Sequence, residues 1–240
     1  MLYLVQVVVP YMKTLVVSLG GSLLFLEGQR DPLYLRQISQ ILKETSKKSA
    51  LVVVVGGGSL ARAYAEKARK KQKGEFYADR EAIKATRENA KTVIRALGSS
   101  AYAKVAATFN EVSRSLKPGR IVVAGGMFEG LTTDAIAVLV AEMLGAGRVV
   151  NLSNVDGIYS GDPRKDKNAT KYPELSHSAL VALSSAGDQR KAGTNFVFDS
   201  VASKLAARSN VPLDFVGGRD LAGVRSALLG LHHSGTVVRD

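Results

Sequence analysis

The chain contains no cysteine. This excludes disulfides, thiolate catalysis and cysteine-ligated zinc or iron–sulfur centres, and it fits a reducing compartment. Histidine is scarce. His177, His232 and His233 all fall late in the chain, without metal-ligand spacing, and the adjacent pair reads as a surface turn. No apolar run is long enough to span a bilayer. The longest early one, Met1 to Tyr11, lacks a charged leader and carries Pro10 near its end, so neither an anchor nor a signal peptide is expected. It reads either as an upstream translation artefact or as an added edge segment, ahead of a single domain covering residues 12–240. Aromatics are 6% of the residues. With no RNP pattern and no zinc-finger spacing, nucleic acid is not the expected partner. Three familiar signatures are also missing. Without G-x-x-x-x-G-K-[ST] the chain is no P-loop NTPase, without G-x-G-x-x-G a Rossmann dinucleotide fold is disfavoured, and without G-x-S-x-G so is a serine hydrolase.

What remains is an ordinary globular composition, with 46% apolar and 22% charged residues over 240 positions. The net charge of +12 is unevenly spread. Lys43 to Arg120 holds 18 Lys and Arg against 7 Asp and Glu, an excess of 11, which leaves 1 for the rest of the chain. Such a stretch is either a face that meets anions or a solvated helix surface. Ala61, Ala65 and Ala68 can pack inward while Arg69, Lys70, Lys71 and Lys73 stay wet.

Short β-branched runs alternate with helical stretches. Strands are expected over Leu15–Leu19, Leu51–Val55, Ile121–Ala124, Arg148–Leu152, Leu213–Val216 and Gly235–Val238. Helices are expected over Leu33–Lys47, from an N-cap near Ser59, and over Arg80–Leu97, Thr133–Leu144, Leu175–Leu183, Val197–Ala207 and Leu221–Leu229. Continuous apolar strands separated by helices predict an α/β fold with a largely parallel sheet covered on both faces. The composition turns acidic and loop-rich after about Arg120, where a lobe boundary is expected.

Three of the strands end in glycines: Gly20-Gly21, Gly56-Gly57-Gly58 and Gly125-Gly126. Ligands of open α/β sheets bind beyond the carboxyl ends of the strands. Glycine there lets backbone N–H groups approach a phosphate, and the following helix adds a positive dipole end. Three such turns predict one polyphosphate site shared by several loops.

The ordered set of motifs then resembles the amino acid kinase family. It comprises Lys13–Leu24 (KTLVVSLGGSLL), Val54–Arg62 (VVGGGSLAR), Gly125–Ala135 (GGMFEGLTTDA), Asn154–Asp166 (NVDGIYSGDPRKD), Lys191–Ser209 and the terminal Gly235–Val238. Within the family the set is most similar to the archaeal type of uridylate (UMP) kinases. The resemblance implies a three-layer αβα sandwich around a mainly parallel, eight-stranded sheet. It implies an acceptor and oligomerisation lobe over about residues 12–145 and an ATP-binding lobe over about 146–240. It also implies transfer of the ATP γ-phosphoryl group to UMP with Mg²⁺, in pyrimidine nucleotide biosynthesis, by a cytoplasmic homohexamer built from dimers.

Carried over to this sequence, the resemblance gives ATP contacts to Ser18, Gly20, Gly21, Ser22, Gly58, Arg62, Ser153, Asn154, Tyr159 and Asp162. It gives UMP contacts to Gly57, Asp79, Gly126, Met127, Phe128, Glu129, Gly130, Leu131, Thr132 and Thr133. Arg62 and Asp134 are the expected catalytic pair, Asp134 orienting cations near the transferred group. No residue is expected to serve as a dedicated metal ligand. Set against these roles, Arg62 could be an ordinary surface charge, Asp134 a first-turn carboxylate, Asp79 an N-cap and Tyr159 a packed loop edge.

Some positions depart from the pattern. Bacterial UMP kinases carry lysine where this chain has Ser18, so the missing charge is expected from Arg62, Lys13 or Lys165. Glu129 would repel an acceptor phosphate unless turned away, and Ala82 stands where a glycine is usual. Two alternatives therefore stay open: a sibling kinase with another small phosphomonoester acceptor, or a non-enzymatic nucleotide- or oxyanion-binding member. Isopentenyl phosphate kinases place a histidine in the acceptor region, and this chain has none before His177.

Overall fold

The computed structural model describes residues 13–71, 74–186 and 198–240. The expectations for Met1–Tyr11 and for the 191–197 part of the fifth motif lie outside them. In chain order come β1 (Thr14–Leu19), a 3₁₀ turn (Gly21–Leu24), the hairpin β2 (Phe25–Leu26) and β3 (Gln29–Arg30), and α1 (Pro32–Ser46). Next are β4 (Ala50–Val55), α2 (Gly58–Lys70), α3 (Glu75–Leu97), α4 (Phe109–Ser115), β5 (Val122–Ala124) and α5 (Thr133–Leu144). The rest comprises β6 (Val149–Ser153), the hairpin β7 (Ile158–Tyr159) and β8 (Lys171–Tyr172), β9 (Glu174–Leu175), α6 (His177–Ala186), α7 (Ser200–Arg208), β10 (Leu213–Gly217), α8 (Leu221–Leu229) and β11 (Thr236–Val238).

Among the described residues the main sheet has seven strands in the order β5-β4-β1-β6-β10-β11-β9. The five from β5 to β10 are mutually parallel, β11 runs antiparallel to β10, and β9 is parallel to β11. The implied sheet had eight strands. Beside β5, residues 101–106 form only isolated parallel bridges, Ala101 to Ile121 and Ala106 to Ala124, rather than a regular strand.

Side chains alternate across the sheet because successive Cβ atoms of a strand point to opposite faces. Leu15, Val17 and Leu19 of β1 pack with Leu51, Val53 and Val55 of β4 against α1, α3 and α8. Val16, Val52 and Val54 pack on the opposite face with α4, α5, α6 and α7. Two apolar layers thus clamp one sheet, as continuous apolar strands require. β4, with the sequence ALVVVV, is buried at every residue. Of the basic helices, α2 buries Ala65 and Ala68 against Ala78 of α3, with its charges left outside. No helix among the described residues is long and apolar enough to cross a membrane.

Several helix starts differ from expectation: α6 begins at His177, since Glu174–Leu175 pairs as β9, and α7 begins at Ser200 behind its Asp199 cap. α2 begins at Gly58 with Gly57 in the capping position and no side-chain cap, so Ser59 lies inside the helix. α3 begins at Glu75, five residues before the expected Arg80, behind Gly74. The His232-His233 pair also differs. The imidazole of His233 is buried, accepts from the Gly235 N–H and lies 3.7 Å from Asp214, so only its neighbour is a surface residue.

Candidate functional site

The three glycine turns lie at the carboxyl ends of adjacent parallel strands, and the first two touch each other. The Gly20 N–H donates to Leu152 O at 2.8 Å, and the Gly56 N–H to Leu19 O at 2.8 Å. A Cβ on Gly21 would lie 2.2 Å from Gly56 O, and one on Gly58 2.5 Å from Ser22 N. Gly58 also has φ +59°, the left-handed region that side chains avoid. The first two turns are therefore packed backbone to backbone, with no room for a methyl group. Gly21→Ala is expected to force them apart and lower Tm by well over the few degrees of an exposed Gly→Ala change. A thermal melt beside the exposed control Gly147→Ala checks this.

The third turn is tied to α3. Thr86 Oγ1 accepts from the Gly126 N–H at 2.7 Å and donates to Ile83 O, while Arg87 Nε donates to Gly126 O at 3.2 Å. Asn89, fully buried, donates to Gly56 O at 2.9 Å and Gly57 O at 3.0 Å. Asp79 lies within α3 and is no N-cap; its Oδ2 accepts from the Gly130 N–H at 2.9 Å and binds the 126–131 loop to the helix. In that loop Met127 packs into the core, Phe128 stacks at 5.8 Å from Phe109, and Glu129 is half-buried with no ion pair among the described residues. Ala82 is half-buried on the same helix.

A cavity of about 570 Å³ opens over the strand ends, and Ser22, Arg62, Thr132, Asp134, Ser153 and Asn154 reach it together. Asn154 Nδ2 donates to Ser22 Oγ at 3.0 Å, which joins the first glycine turn to the loop after β6. Ser153 Oγ turns back onto its own loop, bonding both N and O of Val155. Arg62 is exposed on the first turns of α2, without a hydrogen bond or ion pair among the described residues. Thr133 starts α5, and Thr132 is its N-cap, accepting from the Ala135 N–H at 3.1 Å. Asp134 is thus relieved of capping. Its Oδ1 accepts from Ser18 Oγ at 2.7 Å and from Asn151 Nδ2 at 2.8 Å. Burial pushes the Asp134 carboxyl up to about 6, against the pull of the Ser18 and Asn151 donors and with a further push from the charge of Asp199.

Other expected positions lie beside the cavity rather than in its lining. Ser18 is 2% exposed and spends its hydroxyl on Asp134, so its side chain sits behind that carboxylate. Tyr159 donates to Asp156 Oδ1 at 2.6 Å, a bond that raises its phenol to about 12. Asp162 is held below the usual carboxylate range by Arg164, whose guanidinium lines the cavity. Lys13 is excluded as the replacement cation. It lines a separate hollow with Lys48, Arg148 and Gly230 at the start of β1, the opposite end of the strand from its glycine turn. Lys165 is exposed in the loop containing Arg164. The residues that reading the sequence missed are Asn89, Arg87, Asn151, Arg164 and Asp199. Only Asn151 carried a signal, as an amide inside the apolar run of β6.

A mostly parallel sheet with glycine turns and cations beyond the carboxyl ends of its strands is the architecture of phosphate-binding α/β proteins. The amino acid kinase family model matches residues 13–216, and the chain belongs to that family. It is 40% identical over 227 residues to the uridylate kinase of Methanospirillum hungatei, covering 95% of each chain. The crystal structure of uridylate kinase from Archaeoglobus fulgidus superposes with a TM-score of 0.82 at 39% identity, over 95% of this chain and all of that one. UMP kinase from Bacillus anthracis, at 21% identity and a TM-score of 0.80 over 95% of this chain and 96% of that one, shares the fold.

Proposed function

We propose that this chain is a uridylate kinase, a phosphotransferase that moves the γ-phosphoryl group of MgATP to the phosphate of UMP. The observation that carries the reading is the backbone-to-backbone seat of the first two glycine turns, next to a cavity that Arg62 and Asp134 share. The relatives named uridylate kinase, alike over nearly the whole chain, support the choice of acceptor.

Phosphoryl transfer between two nucleotides crowds negative charge, so catalysis is positioning and charge neutralisation. On this reading the backbone N–H groups of Gly21, Ser22 and Gly58 hold the donor phosphates, Gly20 shapes the turn with its own N–H bound to Leu152 O, and Arg62 neutralises the travelling group. Asp134 keeps cationic groups in line. Ser153, Asn154, Tyr159 and Asp162 surround the donor nucleoside. Gly57, Asp79 and the 126–133 segment seat UMP, Met127 through its backbone only. The acceptor is already an anion at neutral pH, so no general base is needed. Mg²⁺ keeps most of its waters and leans on phosphate oxygens, and it enters with the nucleotide. The two lobes, the homohexamer of dimers, the cytoplasmic setting and the role in pyrimidine nucleotide synthesis belong to the same proposal, carried by the family resemblance. Light scattering on the purified chain tests the assembly.

A coupled ADP-release assay over UMP, CMP, dUMP and isopentenyl phosphate tests the activity. Turnover with UMP well above the others is the expected result. Turnover with a different phosphomonoester alone, or ATP binding without turnover, would overturn the reading.

A further inference from the structure

Two polar residues stand where the strand pattern calls for aliphatic ones. Ser18 of β1 and Asn151 of β6 are register partners in the parallel ladder, and both face α5. They are 2% and 8% exposed. Buried polar groups at such positions are costly unless paired, and here both donors converge on a single atom, Asp134 Oδ1, at 2.7 and 2.8 Å. Asp134 Oδ2 has no hydrogen-bond partner among the described residues, and the carboxylate borders the cavity.

We propose that Asn151, together with Ser18, is a positioning residue for phosphoryl transfer: the pair ties one oxygen of Asp134 to the sheet and leaves the other as the oxygen that faces the reacting groups. The inference rests on the proposed function for the reaction it serves, though not for the geometry. A carboxylate on the first turn of a helix can rotate about χ2, which exchanges its two oxygens. Two donors from adjacent strands remove that freedom. They also favour the ionised form in a buried setting. The charged groups that share the cavity with Asp134 among the described residues are Arg62 of α2, Arg164 of the loop after β7, itself paired with Asp162, and Asp199 at the cap of α7. Asp199 accepts from Thr132 Oγ1 at 3.1 Å and opposes the ionisation of Asp134, so the clamp works against a nearby negative charge.

The test compares wild type with Asn151→Ala, Ser18→Ala and the hydroxyl-retaining Ser18→Thr. Two readouts are used, the pH profile of kcat with UMP and MgATP, and carboxyl titration by ¹³C NMR with Asp134→Asn for assignment. Loss of one hydrogen bond to a charged group is worth roughly one pKa unit. Each alanine variant should therefore move the Asp134 titration and the acid limb of kcat up by about that much. Lost orientation should lower kcat on the alkaline plateau by roughly tenfold, with KM for both substrates nearly unchanged. Ser18→Thr should restore the acid limb. Alanine variants with an unmoved titration and acid limb, or a loss confined to Tm, overturn the clamp. The NMR arm reads the clamp without turnover, so a wild type inactive on UMP would sink the proposed function while leaving this inference to its own measurement.

Discussion

Arg62→Ala is expected to lower turnover with UMP by on the order of 10²- to 10³-fold, the scale of losing one charge aimed at a transition-state oxyanion. The thermal midpoint should not move. Arg62 is exposed on α2 and makes no hydrogen bond or ion pair among the described residues, so no native contact is lost with it. Lysine at the same position should recover only part of the rate, because a point charge cannot grip two phosphate oxygens as a planar fork does. A stopped coupled assay with a melt on the same samples decides the matter. Unchanged kinetics would return Arg62 to the status of a surface charge and shift the burden of neutralisation to Arg164, the other arginine that reaches the cavity among the described residues.

Asp134→Asn is expected to abolish most turnover while making the protein more stable above pH 6. The folded state holds this carboxyl at about 6, against an ordinary value of 3.8. A carboxyl raised on folding favours the folded state while it is protonated and loses that advantage as pH climbs from its unfolded value through its folded one. The wild type therefore carries a penalty of about 3 kcal/mol above pH 6 that is absent below about pH 4. The amide keeps an acceptor for Ser18 and Asn151 and has no charge to desolvate. Its Tm should exceed that of the wild type by several degrees at pH 8 and converge with it at pH 4. A functional carboxylate held at the expense of stability is a common trade. A variant that is less stable than wild type at pH 8 would mean that Asp134 serves the fold rather than the chemistry.

Much of the fold was legible because its signals are local. The runs LVVSL and ALVVVV can only be strands buried on both faces, and the termini of α5 and α8 follow from Thr132, Gly145, Asp220 and Gly230. The α3 start was missed because the apolar residues of its first turn do not mark a buried stripe: Phe76 and Tyr77 are exposed, and only Ala78 is buried. That turn is held instead by Ala78 against α2 and by Asp79 bonding the Gly130 N–H. The short hairpins β2–β3 and β7–β8 and helix α4 have too few residues to show a period. Lys13 looked available for the site because it lies five residues before Ser18 in sequence, but a strand carries those five residues away from the strand end where the cavity opens.

The chain itself determined which pieces form and where the backbone must come close. Alternation along β1 and β6 fixes the faces of Ser18 and Asn151, and glycine at three strand ends permits an approach that any side chain would block. Which polar residue meets which was decided only by tertiary structure. Ser18, Asp134 and Asn151 lie far apart along the chain, as do Thr132 and Asp199. Their pairing follows from the strand order β4-β1-β6 and the seat of α5 on one face, and no local pattern encodes it. Local sequence specifies dihedrals and faces; the partner of a buried polar atom depends on which strands become neighbours when the whole core closes.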